Sequence, residues 1–372
     1  MTIKFSKPNI FSDDLNLVKK TIKSGWLTHG INTSKFEEKF KKFTSSKYSV
    51  TVSSCTAALH LSCLALGLKK GDEVIVPAMS HTATSHAVEY TGAKVVFVDI
   101  DLTTGNIDPK NIISKMSKKT KAIIVVHMAG LPCEIDLIYK ICKKFKIELI
   151  EDCAHSVGTK FKSKHVGNFG ISGCFSFYPT KQITTGEGGM LITNNKKFYN
   201  KIKTLKAFGI DKDINQRKKQ GTYDVVSLGF NYRLTDFQSA LGLKQIQNYK
   251  NNLKKRHLLA KKYIYSLKNV KEVNCMPYSR NCSFFVFQIF CKNRDKLLKR
   301  FKDKKIGVSI HYATPLPSMS YYKKKYNFKK INFKNAKNYA DTNISLPVYP
   351  SLTNQELNKV VQVIKEFYGY RK

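Results

Sequence analysis

The sequence predicts an α/β fold: a large domain with a mostly parallel seven-stranded sheet, followed by a smaller C-terminal α+β domain. Three observations carry this expectation. Through the first two-thirds of the chain, short runs rich in Val, Ile and Phe alternate with helix-patterned stretches, as strands do with crossover helices. A long amphipathic pattern then begins at Thr235. Beyond it the strand-like runs become shorter and fewer. At 372 residues the chain exceeds one ordinary domain. The boundary is set inside the long helix, giving a large domain at 1–245 and a small one at 246–372.

Seven runs qualify as strands of the large sheet: 47–54 (KYSVTVSS), 73–77 (EVIVP), 94–99 (KVVFVD), 122–127 (AIIVVH), 147–152 (IELIED), 173–178 (GCFSFY) and 189–193 (GMLIT). Helical stretches fall between several of them, notably 56–66 and 134–145. From Thr235, TDFQSALGLKQIQNYKNNLKKRHLLAKKYIYSL places apolar residues at three- and four-residue steps. Thr235 with Gln238 three residues on makes a capping-box start. The last third is expected to hold a strand at 283–290 (SFFVFQIF), a helix over 294–301 and a final helix from Asn354.

Composition excludes several classes of protein. Hydrophobic residues make up 42% and aromatics 12%, enough for a buried core and too many for a disordered chain. No apolar run approaches the ~18 residues of a membrane span. The start, MTIKFSKPNIFSDD, has no apolar signal core, so a cytoplasmic location is expected. The formal charge is +39, from 65 basic and 26 acidic residues. The lysines are spread along the chain without a basic tail, zinc-finger spacing or RNA-binding aromatic motif. They read as a solvated surface rather than a nucleic-acid site, one that would also attract small phosphorylated substrates. Nine cysteines, an odd number with no CxxC pair, read as small buried hydrophobes in a reducing compartment. No metal site is expected.

Ligands of open α/β sheets sit beyond the carboxyl ends of the strands, and those ends hold a chemically coherent set. The first runs into Ser53-Ser54-Cys55-Thr56-Ala57, small residues and hydroxyls at a helix N-terminus, which can cradle phosphate or serve as an ordinary cap. The second ends near His81, whose ring can cover a planar cofactor or belong to a plain loop. The fifth ends in Glu151-Asp152-Cys153-Ala154-His155. A carboxylate there needs a partner, and a protonated pyridine nitrogen is one; a helix cap, or a metal held by Asp152 and His155, is the alternative. The sixth gives FSFYPTKQITTGEGGM, in which Lys181 stands between Ser176 and a glycine-rich turn. Desolvation there disfavours its ammonium and makes it nucleophilic. Aldehyde capture by a lysine, a carboxylate for the pyridine and hydroxyls for phosphate together describe pyridoxal 5′-phosphate (PLP).

The motifs SGWLTHG, SSCTAALHL, GDEVIVPAMSHTATSHAVEYTGAKVVFVDID, EDCAHSVG, FSFYPTKQITTGEGGM, GFNYRLTDFQSALG, IHYATPL and ISLPVYPSLT follow one another almost end to end. In this order the chain resembles the DegT/DnrJ/EryC1/StrS family of PLP-dependent sugar aminotransferases. The resemblance implies an aspartate-aminotransferase-like (type I PLP) fold, with the PLP-binding site in the large domain. It assigns Lys181 to the cofactor-bearing lysine, Asp152 to the pyridinium partner and His155 to the His or Gln beside the ring. Cys55 and Thr56 fall on the phosphate cradle, Cys55 in place of a smaller residue, so that contact there is expected from the backbone. Ser176 matches the hydroxyl on the phosphate. His81 stands where relatives often carry Phe or Trp over the ring. Asn231 corresponds to a residue that reaches the phosphate from the neighbouring subunit, implying a homodimer with shared active sites. Trp26, His311 and Tyr312 match regions lining the sugar pocket, although Pro317 departs from the PLH of many relatives. The implied reaction moves an amino group from L-glutamate to a nucleotide-linked keto-sugar, in making an amino sugar for surface polysaccharide or glycan. A cyclitol or other ketone is the alternative substrate. A sugar dehydratase of the same fold would carry histidine in place of Lys181, and a nucleic-acid-binding protein would have no use for the strand-end set.

Overall fold

The computed structural model describes residues 2–212, 219, 221–328 and 333–370. Two helices, α1 (Ser12–Lys23) and α2 (Ile31–Thr44), precede the first strand. The large sheet is built from β1 (Tyr48–Val52), β2 (Glu73–Pro77), β3 (Lys94–Val98), β4 (Thr120–Val126), β5 (Glu148–Asp152), β8 (Ser172–Ser176) and β9 (Gly189–Thr193). Between β5 and β8 lies a small hairpin, β6 (Lys160–Phe161) and β7 (Lys164–His165). The sheet order is β1-β9-β8-β5-β4-β2-β3. The pairs from β8 to β3 are all parallel, and β9 runs antiparallel to both its neighbours. All seven expected strands are present, and the sheet is mostly parallel as expected.

Helices α3 (Cys55–Ala65), α4 (Thr82–Glu89), α5 (Ile135–Phe145) and α6 (Lys196–Leu205) connect or follow these strands. β4, β5 and β8 read as nearly continuous buried runs, the pattern of strands covered on both faces. Burying that much Val, Ile and Phe is the main favourable term holding the sheet to its helices. The same packing aligns the carboxyl ends of β1, β2, β5 and β8 along one rim. β9, running the other way, approaches that rim because it begins without a side chain. A Cβ at Gly189 would lie 2.5 Å from the carbonyl carbon of Ser54 and 2.7 Å from the nitrogen of Cys55.

α7 (Asp236–Leu267) starts on the expected capping box: the backbone N–H of Gln238 donates to Thr235 Oγ1, and Gln238 Oε1 accepts from the backbone N–H and, at 2.7 Å, the hydroxyl of Thr235. Its first residue, Asp236, also caps α2, accepting from the Thr33 N–H and the Asn32 amide, both at 2.8 Å. α7 then runs to a second, antiparallel sheet of β10 (Val273–Cys275), β11 (Phe287–Cys291) and β12 (Asn343–Leu346). Helices α8 (Arg294–Asp303), α9 (Ser320–Lys325), α10 (Lys334–Thr342) and α11 (Asn354–Phe367) complete this part. Residue Ile3 pairs with Ile306, so the N-terminal segment lies against the C-terminal third.

One strand is shorter than expected. The run 283–290 forms a ladder only from Phe287. Phe284 takes a left-handed backbone, φ 45°. The amides of Ser283 and Phe285 donate to Gly130 and Ala129 of the large domain, while the Arg256 guanidinium takes the carbonyls of Phe284 and Phe285. These groups are therefore spent on tertiary contacts instead of a ladder. Among the described residues no helix is long and apolar enough to cross a membrane. The nine cysteines are all free, and every one but Cys275 is buried.

Candidate active site

A cavity of about 450 Å³ opens at the rim of the large sheet. Its floor begins with β5. Alternation along this strand sends Glu151 and Asp152 to opposite faces. Glu151 accepts from the backbone of Gly167, Phe169 and Gly170 and from His127 Nε2. His127, Glu151 and Cys153 do cluster closely enough to be considered as metal ligands, but that carboxylate is already committed to four hydrogen bonds. Asp152 faces the cavity. It accepts from the Thr84 hydroxyl at 2.8 Å and the Ala154 N–H at 3.1 Å, and the Cys55 thiol points at it from 3.8 Å. The buried carboxylate thus has the partners that burial requires.

Cys55 and Thr56 form the first turn of α3, where no helical carbonyl reaches the backbone N–H groups. Ser54 is the N-cap and accepts from Ala57 at 3.0 Å. Burial pushes the Cys55 thiol up, and the Asp152 charge adds to the effect, so it presents a neutral S–H. Ser176, the last residue of β8, lines the same cavity. An anionic group would meet free helix N–H groups there, with a hydroxyl beside them.

Lys181 follows β8 by five residues and projects its Nζ over the Phe285 ring, 4.2 Å from the centroid. Burial lowers its amine to about 8, against the opposing pull of the Asp152 charge. His155 stacks on that same Phe285 ring, centroids 4.3 Å apart and planes at 19°. Its Nε2 meets the Tyr312 hydroxyl at 3.1 Å, while its buried Nδ1 has no hydrogen-bond partner among the described residues. Burial, then the Lys181 cation, hold its pKa well below the usual range, so the ring is neutral. His311 is lowered to about 3, again by burial and Lys181, and bonds Ser345 Oγ at 2.9 Å. His81 caps α4 through Nδ1, which accepts from the Ala83 N–H at 3.2 Å, and its ring also lines the cavity. Both the cap role and the cavity-facing role of His81 are therefore compatible.

Nine of the eleven residues singled out from the sequence share this cavity: Lys181, Asp152, His155, Cys55, Thr56, His81, Ser176, His311 and Tyr312. The other two do not. Trp26 is 57% exposed and lines a separate surface cleft with Arg233. Asn231 is exposed, its amide oxygen held by Arg233 Nε at 3.0 Å. Sequence reasoning missed Phe285 and Thr84. Thr84 lay inside a quoted motif without a role. Phe285 carried no local signal, because it comes from the segment just ahead of β11, far downstream of Lys181 in the sequence.

The set fits PLP on its own chemistry. One cavity holds a desolvated amine, a hydrogen-bonded carboxylate, a neutral imidazole with an unpartnered buried nitrogen, and a helix N-terminus flanked by hydroxyls. Comparison with known proteins agrees: the model of the DegT/DnrJ/EryC1/StrS aminotransferase family matches residues 8–365. The chain belongs to this family. It is 35% identical to GDP-perosamine synthase of Escherichia coli O157:H7, over 98% of each chain. Identity to the spore coat polysaccharide biosynthesis protein SpsC of Bacillus subtilis is 34%, over 98% of this chain and 96% of the other. A Streptococcus pneumoniae protein solved in its PLP form superposes with a TM-score of 0.92, at 26% identity and 99% coverage of both. As a member of the DegT/DnrJ/EryC1/StrS family the enzyme is a PLP-dependent sugar aminotransferase with an aspartate-aminotransferase-like fold, of a kind that serves polysaccharide or amino-sugar biosynthesis.

Proposed function

We propose that the enzyme transfers an amino group from L-glutamate to a nucleotide-linked keto-sugar, in the cytoplasm, making an amino sugar for a surface polysaccharide or glycan. The observation that carries this reading is the convergence of Lys181, Asp152, His155 and the α3 N-terminus on one cavity. The GDP in the name of the Escherichia coli relative supports a nucleotide-linked substrate.

When bound, PLP supplies an aldehyde that captures amines and a pyridinium that serves as an electron sink. Lys181 would hold it through Nζ, and an amine lowered to about 8 keeps a working fraction unprotonated near neutrality. Once displaced, the same Nζ would act as general base on the donor's α-proton and return a proton on the product side. Asp152, fixed by Thr84 and Ala154, would keep a proton on the ring nitrogen. The first-turn N–H groups of Cys55 and Thr56, with Ser176, would hold the phosphate, and His81 and His155 would flank the ring. His311 and Tyr312, from the small-sheet side, would face the sugar.

Asn231 and Trp26 lie outside their own chain's cavity, which supports assigning them to a partner's site in a homodimer with shared active sites. The same reading divides the chain at residue 245 into a PLP-binding domain and a smaller substrate-facing one. The test is a panel of nucleotide keto-sugars and free cyclitol ketones incubated with L-glutamate, with product mass and stereochemistry determined. Amination confined to nucleotide-linked substrates is expected; amination of the cyclitols alone would overturn the reading.

A further inference from the structure

The Phe285 side chain is 3% exposed and lies against both Lys181 and His155. Lys181 Nζ sits 4.2 Å from its centroid, and His155 stacks on it at 4.3 Å. His311 meets it edge-on at 5.5 Å. The ring is not free to drift, because its backbone is clamped on both sides. Phe285 N–H donates to Ala129 of the large domain, and its carbonyl accepts from Arg256 Nη1 at 3.3 Å. Arg256 is itself 3% exposed and also takes the carbonyls of Phe284 and Val348, giving it three carbonyl partners in the hydrogen-bond network. A buried guanidinium spent on carbonyls fixes the segment that carries the ring.

We propose that Phe285 is a positioning residue for the amino-transfer reaction: its clamped face receives the Lys181 ammonium and backs the His155 ring. A lysine released from a cofactor would otherwise swing through a cavity of several hundred cubic ångströms. An aromatic face within about 6 Å of an ammonium attracts it through the ring quadrupole, and more strongly where water is excluded. The charged and titratable groups that face Lys181 are Asp152 from β5, Cys55 from α3, His81 from the α4 cap, His155, and His311 and Tyr312 from the small-sheet side, with Glu187 at the cavity wall. Asp152 favours the ammonium, burial opposes it, and the Phe285 face adds to the favourable side. Removing that face therefore moves the Lys181 midpoint further down.

The inference rests on Lys181 being the cofactor lysine, and its test separates the two. The enzyme loaded with pyridoxamine phosphate, in which the Lys181 amine is free, is labelled with trace acetic anhydride across pH, and acetylation of Lys181 is read by peptide mass spectrometry. The wild-type midpoint in this loaded form sets the reference. Phe285→Leu, and pentafluorophenylalanine placed at position 285, should each lower it by about one pH unit, while Phe285→Tyr stays with wild type. The fluorinated ring keeps size and packing, so a purely structural role predicts no shift for it. An unmoved midpoint in the fluorinated protein, with borohydride still trapping the cofactor on Lys181 when the same protein is loaded with PLP, overturns the role of Phe285 alone. Trapping on a different lysine overturns the assignment of Lys181 instead.

Discussion

Asp152 is held by one hydroxyl and one backbone N–H and faced by a neutral thiol, with the Lys181 amine in the same cavity. The proposed partner is the cofactor's ring nitrogen. Asp152→Asn keeps the shape and removes the charge. Because a hydrogen bond to a charged group contributes about 1.5–3 kcal/mol, turnover should fall on the order of ten- to a hundred-fold, and PLP occupancy by far less. Single-turnover rates of each half-reaction, set beside the cofactor content of the purified variant, check this. Equal loss of occupancy and rate would reduce Asp152 to a binding group. Thr84 belongs to the same account, since its hydroxyl fixes the Asp152 oxygen that Ala154 does not.

The decisive element junction is where β9 meets the start of α3. Gly189 pairs with both Val52 and Ser176, and an added methyl would press on the backbone of Ser54 and Cys55. Gly189→Ala should therefore push the first turn of α3 out of place. We expect about 1–3 kcal/mol of lost stability, as for other overpacked sites, together with weaker cofactor binding, read by thermal denaturation and PLP titration. Lost stability with unchanged PLP affinity would separate this junction from the phosphate cradle. The strands and their ends were legible in the sequence because each is written in one local run: apolar residues, then Asp152, Ser176 or Cys55 at the rim. The α7 start was legible for the same reason, through Thr235 and Gln238. Helices α1 and α2 were not foreseen. The late start of the 283–290 strand was invisible too, because Arg256, Ala129 and Gly130 take the backbone groups of its first residues from distant parts of the chain. Phe285 was hidden for that same reason. Its partners Lys181 and His155 lie in another domain's worth of sequence, and no spacing records the contact.

At the scale of the whole molecule, the site of one chain lacks Asn231 and Trp26, which sit on an outer surface with Arg233. Mixing subunits tests the proposed sharing. One subunit carries Lys181→Ala, the other Asn231→Ala with Arg233→Ala; each alone should be inactive. Shared sites place both defects in one half of the mixed dimer and leave the other half whole, so activity should return on mixing. Demonstrated exchange without recovered activity would keep each site within one chain. The account as a whole rests on a single covalent position, and borohydride reduction of the PLP-loaded enzyme followed by peptide mapping reads it directly. The expected result is a phosphopyridoxyl group on Lys181 and on no other of the chain's many lysines, with Lys181→Ala losing the label and on the order of 10²–10⁴-fold in turnover. A label on any other lysine, or full turnover in Lys181→Ala, would contradict it.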